Sequence, residues 1–113
     1  METTAVIRYI RDHIRDTPSL TSIAEACGYS PYYLSRRFRQ VRGYTIKQYV
    51  EVLKIQCSIE RLLDRSSPVS TVTASAITAG YSSLTSFSRT FKQHTGSSPR
   101  DYRRESFKAR SVL

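Results

Sequence analysis

Two arginines, placed alike on two separate stretches, are the residues of this chain best suited to chemistry. Tyr32, Ser35, Arg36 and Arg39 are spaced i, i+3, i+4 and i+7, so on a helix they share one face. Further on, Thr85, Ser86, Arg89 and Lys92 or Gln93 offer a similar set. A guanidinium is a planar fork that can donate two hydrogen bonds to guanine O6 and N7 at once, a pairing worth about 1–3 kcal/mol of discrimination between bases. The chemistry this suggests is recognition of a polyanion with readable edges, not bond-making. The plainer reading is that both arginines only solvate a helix, and their matched position in a repeat weighs against it. For Tyr32, contact with a thymine methyl, contact with a phosphate, and packing on a neighbouring helix all stay open.

Charge supports a polyanionic partner. The 113 residues carry 18 Lys and Arg against 9 Asp and Glu, a formal net charge of +9. Between Glu25 and Glu51 no acidic residue occurs, while Arg36, Arg37, Arg39, Arg42 and Lys47 do. Between Asp64 and Asp101 the only formal charges are Arg65, Arg89, Lys92 and Arg100. A chain of this length suits one compact domain or two very small subdomains, without a large internal cavity.

Other classes are disfavoured. No apolar run approaches the roughly 20 residues of a membrane span, and Met1-Glu2-Thr3-Thr4 lacks the basic and apolar parts of a secretory signal. A soluble, cytoplasmic, nucleoid-associated protein without a membrane partner is expected. Cys27 and Cys57 lie in no C-x-x-C pattern, so both are expected to be small core residues and neither to form a disulfide or metal site. His13 and His94 have no partner at ligand spacing and are expected at the surface. There is no G-x-S-x-G, no phosphate-cradling glycine loop and no apolar pair of carboxylates, so no enzyme, no cofactor and no metal are expected.

The elements that must position the arginines are all helices. Residues 4–16 place Ile7, Ile10 and Ile14, with Val6, at helical spacing. Thr17-Pro18-Ser19 breaks that helix, and Ser19 caps a short second one carrying Leu20, Ile23, Ala24 and Cys27, ended by Gly28. Ser30-Pro31 opens a third, with Leu34, Phe38 and Val41 inward and Gly43 at its end. Thr45 caps a long helix, Ile46 to Leu63, whose apolar side changes partway. Ile46, Tyr49, Val50, Leu53 and Cys57 share one face, while Val52, Ile55, Ile59, Leu62 and Leu63 lie opposite. At 1.5 Å per residue this bridge extends about 27 Å. Ser66-Ser67-Pro68 ends it. A short helix with Val72, Ala76 and Ala79 follows, then Gly80, then a helix capped by Ser82 or Ser83 with Leu84, Phe87 and Phe91 inward. Gly96-Ser97-Ser98-Pro99 breaks that helix before a last short one through Tyr102. Tyr29 and Tyr81, after the turn glycines, are expected to pack.

The halves repeat. Leu20, Ala24, Gly28, Tyr29 and Ser30 match Val72, Ala76, Gly80, Tyr81 and Ser82 at a constant offset. After one inserted residue, Ser35, Arg36, Phe38, Gln40, Gly43 and Tyr49 match Ser88, Arg89, Phe91, Gln93, Gly96 and Tyr102. A short helix, a glycine turn and a second helix with a basic outer face is the helix-turn-helix pattern, whose second helix enters the major groove of DNA.

These residues resemble the DNA-binding domain of the AraC/XylS family of bacterial transcription regulators, over roughly residues 4 to 105. The most specific part is Gly80-Tyr81-Ser82-Ser83, then Phe87-Ser88-Arg89-Thr90-Phe91-Lys92, Gly96, Ser98-Pro99 and Tyr102-Arg103; Ile23-Ala24-Glu25, Gly28-Tyr29-Ser30 and Leu34-Ser35-Arg36 add the first unit. The resemblance implies an all-α fold of about seven helices, with two helix-turn-helix subdomains (1–45 and 65–105) joined by a bridging helix (46–64); the tail (106–113) shows no clear period and is expected to be mobile. The resemblance implies base contacts from Tyr32, Ser35, Arg36, Leu84, Thr85, Ser86 and Arg89, and phosphate contacts from Arg37, Arg39 and Lys92. Ser75 departs from the family, which usually has an apolar core residue there, so the second unit is expected to be looser. Larger relatives carry a separate effector-binding or dimerisation domain for which this chain has no room. It therefore resembles the small stand-alone members that bind as monomers, or a piece of a larger protein. The implied function is sequence-specific regulation of transcription, as an activator on double-stranded DNA, with contact to RNA polymerase left open. An architectural DNA binder and a protein-interaction module on the same scaffold are the alternatives.

Overall fold

The structure, a computed structural model, describes residues 3–64 and 72–112, with side chains as far as Lys108. Its helices are α1 (Thr3–Asp12), a 3-10 turn (Ile14–Asp16), α2 (Leu20–Cys27), α3 (Pro31–Arg42), α4 (Ile46–Leu62), α5 (Val72–Thr78), α6 (Leu84–Thr95) and α7 (Pro99–Val112). No strand occurs among the described residues. The chain divides into two compact units, Met1–Leu53 and Lys54–Leu113, so the division falls inside α4.

In the first unit Val6, Ile10, Ile23, Ala24, Leu34 and Phe38 are fully buried, and Ile14, Ile46, Val50 and Leu53 nearly so. Phe38 meets Tyr44 edge-on with ring centroids 5.8 Å apart, and Tyr49 at 6.2 Å. In the second, Ile55, Leu62, Ala76, Phe87 and Phe91 form one cluster, with Ile59, Val72, Tyr81 and Tyr102 packed against it. Phe91 meets Phe87 at 5.6 Å and Tyr102 at 5.4 Å. The pair Phe38–Tyr49 therefore recurs as Phe91–Tyr102, at the positions the repeat matches.

Capping repeats as well. Ser30 accepts from the Tyr33 N–H (3.2 Å) and Ser83 from the Ser86 N–H (3.0 Å). The cap of α6 is thus Ser83, and the inserted residue of the repeat is Ser82, ahead of the cap. Thr45 caps α4 through the Gln48 N–H at 3.1 Å, as Ser98 caps α7 through the Asp101 N–H at 3.2 Å. After each first helix the chain turns the same way: Tyr29 N–H donates to Ala24 O (2.9 Å) and Tyr81 N–H to Ala76 O (3.0 Å). The turn needs a left-handed residue, and Gly28 holds φ +80°. A Cβ added at Gly28 would meet nothing within 4 Å, so the cost of Gly28→Ala comes from backbone conformation alone, about 1 kcal/mol. Thermal unfolding is expected to fall by a few degrees, while DNA affinity well below the melting point stays unchanged.

Several expectations are corrected. α1 stops at Asp12, earlier than expected, and the chain continues as the 3-10 turn, which Thr17 ends in the left-handed region ahead of Pro18. Leu20 is 36% exposed at the start of α2. Val41 is 48% exposed, while Arg42, in the same last turn of α3, is half-buried. Val52 is 40% exposed, because α4 changes its buried face only between Leu53 and Ile55, after Val52. Ser58 takes a fully buried place instead, its hydroxyl donating to Ile55 O at 2.6 Å. Leu84 is 47% exposed and not inward. The last helix runs on to Val112 where a tail was expected from residue 106. Nothing after Pro99 breaks it, Arg103 donates to Leu62 O (3.1 Å) and lies over Phe107, and Arg104 pairs with Asp101 at 2.8 Å. Ser75 is fully buried. The break at Ser66-Ser67-Pro68 lies outside the described residues.

Candidate nucleic-acid interface

On α3 the buried Leu34 and Phe38 fix the helix, which leaves the opposite side in solvent. Tyr32 is 74% exposed, and Ser35, Arg36, Arg37 and Arg39 are exposed as well. Tyr32, Ser35, Arg36 and Arg39 line one open recess of about 430 Å³. Arg37 does not line it; it belongs to a neighbouring stripe with exposed Tyr33 and Val41. Gln40 and Thr45 complete the recess, and neither figured among the sequence candidates. The match of Gln40 with Gln93 in the repeat was the signal that pointed to the glutamine. Thr45 could be read only as the cap of α4, which it also is.

On α6 the buried Phe87 and Phe91 play the same part, and Leu84, Thr85, Ser86, Arg89 and Lys92 are exposed. With the caps aligned, Thr85, Arg89, Lys92 and Gln93 occupy the places of Tyr32, Arg36, Arg39 and Gln40. Leu84 and Ser86 flank that stripe on either side, about 100° from Thr85. Ser88, the counterpart of Ser35, is half-buried.

The charges on both faces are free to act. Arg61 pairs with Asp64 and Arg104 with Asp101, while among the described residues Arg36, Arg37, Arg39, Arg89 and Lys92 have no acidic partner. Neither α3 nor α6 contains an acidic residue.

The remaining reactive side chains have structural surroundings. Tyr29 packs on Tyr33 (5.6 Å between centroids), and Tyr81 on Phe87 (5.2 Å) with Lys54 Nζ 3.9 Å from its ring centroid. Cys27 and Cys57 are half-buried and reduced. Burial pushes the Cys27 thiol up, away from the reactive thiolate. His13 is exposed and stacks on Tyr9 with centroids 4.1 Å apart; His94 is exposed. Among the described residues no three His, Cys, Asp or Glu side chains are grouped to hold a metal, and no helix is long and apolar enough to cross a membrane.

Comparison with known proteins places this arrangement. Residues 23–105 match the model of a helix-turn-helix domain family. The regulatory protein SoxS of Salmonella typhimurium is 31% identical over 98 residues, covering 87% of this chain and 89% of SoxS. An uncharacterised helix-turn-helix transcriptional regulator of Staphylococcus aureus is 33% identical over 98 residues, but the chain spans only 13% of its length. Among solved structures, the DNA-binding domain of AdpA, a global transcriptional factor in complex with a target DNA, is 25% identical with a TM-score of 0.80, covering 95% of this chain and 93% of that one.

Proposed function

Because the chain belongs to the AraC/XylS-type helix-turn-helix family, we propose that it is a sequence-specific regulator of transcription that reads double-stranded DNA with α3 and α6. The single observation carrying this is the pair of matched, acid-free helix faces, each with an exposed arginine that has no acidic partner and lies four residues behind the aligned Tyr32 or Thr85. In this reading Arg36 and Arg89 bind guanine edges. Tyr32, Ser35, Leu84, Thr85 and Ser86 complete the base contacts, while Arg37, Arg39 and Lys92 hold phosphates. Helix-turn-helix recognition uses the N-terminal residues of the second helix on base edges, and the proposed base-contacting residues lie within the first two turns of α3 and α6. The two helices take successive major-groove segments, about 34 Å apart along the duplex. One chain brings two heads, so binding as a monomer meets two half-sites without a partner chain. Activation, through contact with RNA polymerase at the nucleoid, is the direction the family resemblance supports.

Selection of bound duplexes from a random pool, followed by affinity measurement at one salt concentration, tests the reading. The selected site is expected to bind at least about 1,000-fold more tightly than random DNA. A ratio of only a few-fold would sink sequence-specific reading and leave a sequence-neutral DNA binder.

A further inference from the structure

Both reading faces begin with an apolar group that no core requires. Tyr32 is the second residue of α3 and stands 74% exposed; Leu84 is the first of α6 and stands 47% exposed. Exposed Thr85, the counterpart of Tyr32, adds a methyl group beside Leu84. On otherwise polar-basic surfaces these are sizeable apolar side chains left in water, at the end of each helix that leads into a major groove. The apolar feature displayed in that groove is the C5-methyl of thymine.

We infer that each head reads a thymine methyl with its first turn, through Tyr32 on α3 and through Leu84 and Thr85 on α6. This rests on α3 and α6 being the recognition helices. The spacing adds a register. Arg36 lies four residues after Tyr32 and Arg89 four after Thr85, about 6 Å along the helix axis, or about two base-pair rises of 3.4 Å. Each half-site therefore pairs a thymine with a guanine bound by the arginine, no more than about two base pairs apart. A polar or basic residue at Tyr32 and Leu84 would have suited phosphates or any base edge; the apolar choice selects the methyl.

The test replaces single thymines of the selected operator with deoxyuridine, which removes the methyl and leaves pairing and charge intact. It needs no protein variant and so cannot be confused with misfolding. Affinity is expected to fall about three- to fourfold at one thymine in each half-site, within two base pairs of a guanine whose replacement is also costly. The uridine effect is expected to vanish with Leu84→Ala combined with Thr85→Ser in one half-site and with Tyr32→Ser in the other; all three side chains are exposed, and circular dichroism checks that helix content is kept. If uridine is silent at every thymine near those guanines, or its effect survives in both variants, the methyl reading is overturned. That outcome is separate from failure of the recognition-helix reading itself, which appears as Arg36→Ala and Arg89→Ala leaving sequence preference unchanged.

Discussion

Truncating Phe91 to alanine is expected to cost about 3–5 kcal/mol of stability, the largest effect of any single change considered, and to disorder the α6 face proposed as the second reading head. The ring is fully buried and touches both Phe87 and Tyr102, so it ties α6 to α7 within a small cluster. Few large side chains could close around the gap: the buried members of that cluster are Ile55, Leu62, Ala76 and Phe87. The α5 helix offers little, since it contributes small residues, Ser75 and Ala76, to the buried side. Domains of this kind have total stabilities of about 5–15 kcal/mol, so the loss is a large share. Urea unfolding followed by circular dichroism measures the loss. Residue-resolved hydrogen exchange locates it, with amides of α6 and the start of α7 expected to lose protection while those of α2 and α3 keep theirs. An unfolding midpoint close to that of the native protein would show the cluster to be less dependent on Phe91 than its contacts imply.

The same contrast in size governed what could be read from the sequence. The hydroxyl caps at Ser19, Ser30 and Thr45 were legible, because each stands next to an apolar period and Pro31 adds the favoured first residue, whereas the cap of α6 stayed between Ser82 and Ser83 and Ser98-Pro99 read only as a break. The large buried residues Leu34, Phe38, Phe87 and Phe91 followed from period alone. The expectations that failed did so at helix ends and changeovers. Val41 and Leu84 fit an inner stripe by angle, yet each lies in a terminal turn where the chain leaves the core, and Val52 sits just ahead of the point at which α4 exchanges faces. α7 was cut short because its outer side has no apolar period; its continuation depends on contacts distant in sequence, such as Arg103 to Leu62 O. The exposed polar-basic faces of α3 and α6 were legible wherever the repeat doubled the signal, as at Arg36 and Arg89, whereas a residue that joins by tertiary position alone, as Thr45 does at the α3 recess, was not.

That doubling permits a direct comparison of the two heads. Arg36→Ala and Arg89→Ala are each expected to relax sequence preference, by about 1–3 kcal/mol or roughly 5- to 150-fold in the ratio of right to wrong base. Arg36→Ala is expected to lose more in absolute affinity. α3 carries Arg36, Arg37, Arg39 and Arg42, whereas α6 carries Arg89 and Lys92, so the proposed first head has more cations to attract the duplex and is expected to hold its half-site more tightly. Tyr32 also presents more surface to a groove than Thr85 can. Both arginines are exposed, so neither change should disturb folding, and losses in binding can be read as lost contacts. Salt dependence separates the roles within each head. Each phosphate contact removed lowers the slope of log affinity against log salt by about 0.9, so the double change Arg37→Ala and Arg39→Ala should lower it by about twice what Lys92→Ala does, with little change in preference between sequences. Competition binding on the selected operator and on single-base variants measures both quantities. A larger loss from Arg89→Ala than from Arg36→Ala would reverse the order of the heads, and would make the second head, with its smaller set of cations, the one that anchors the protein on DNA.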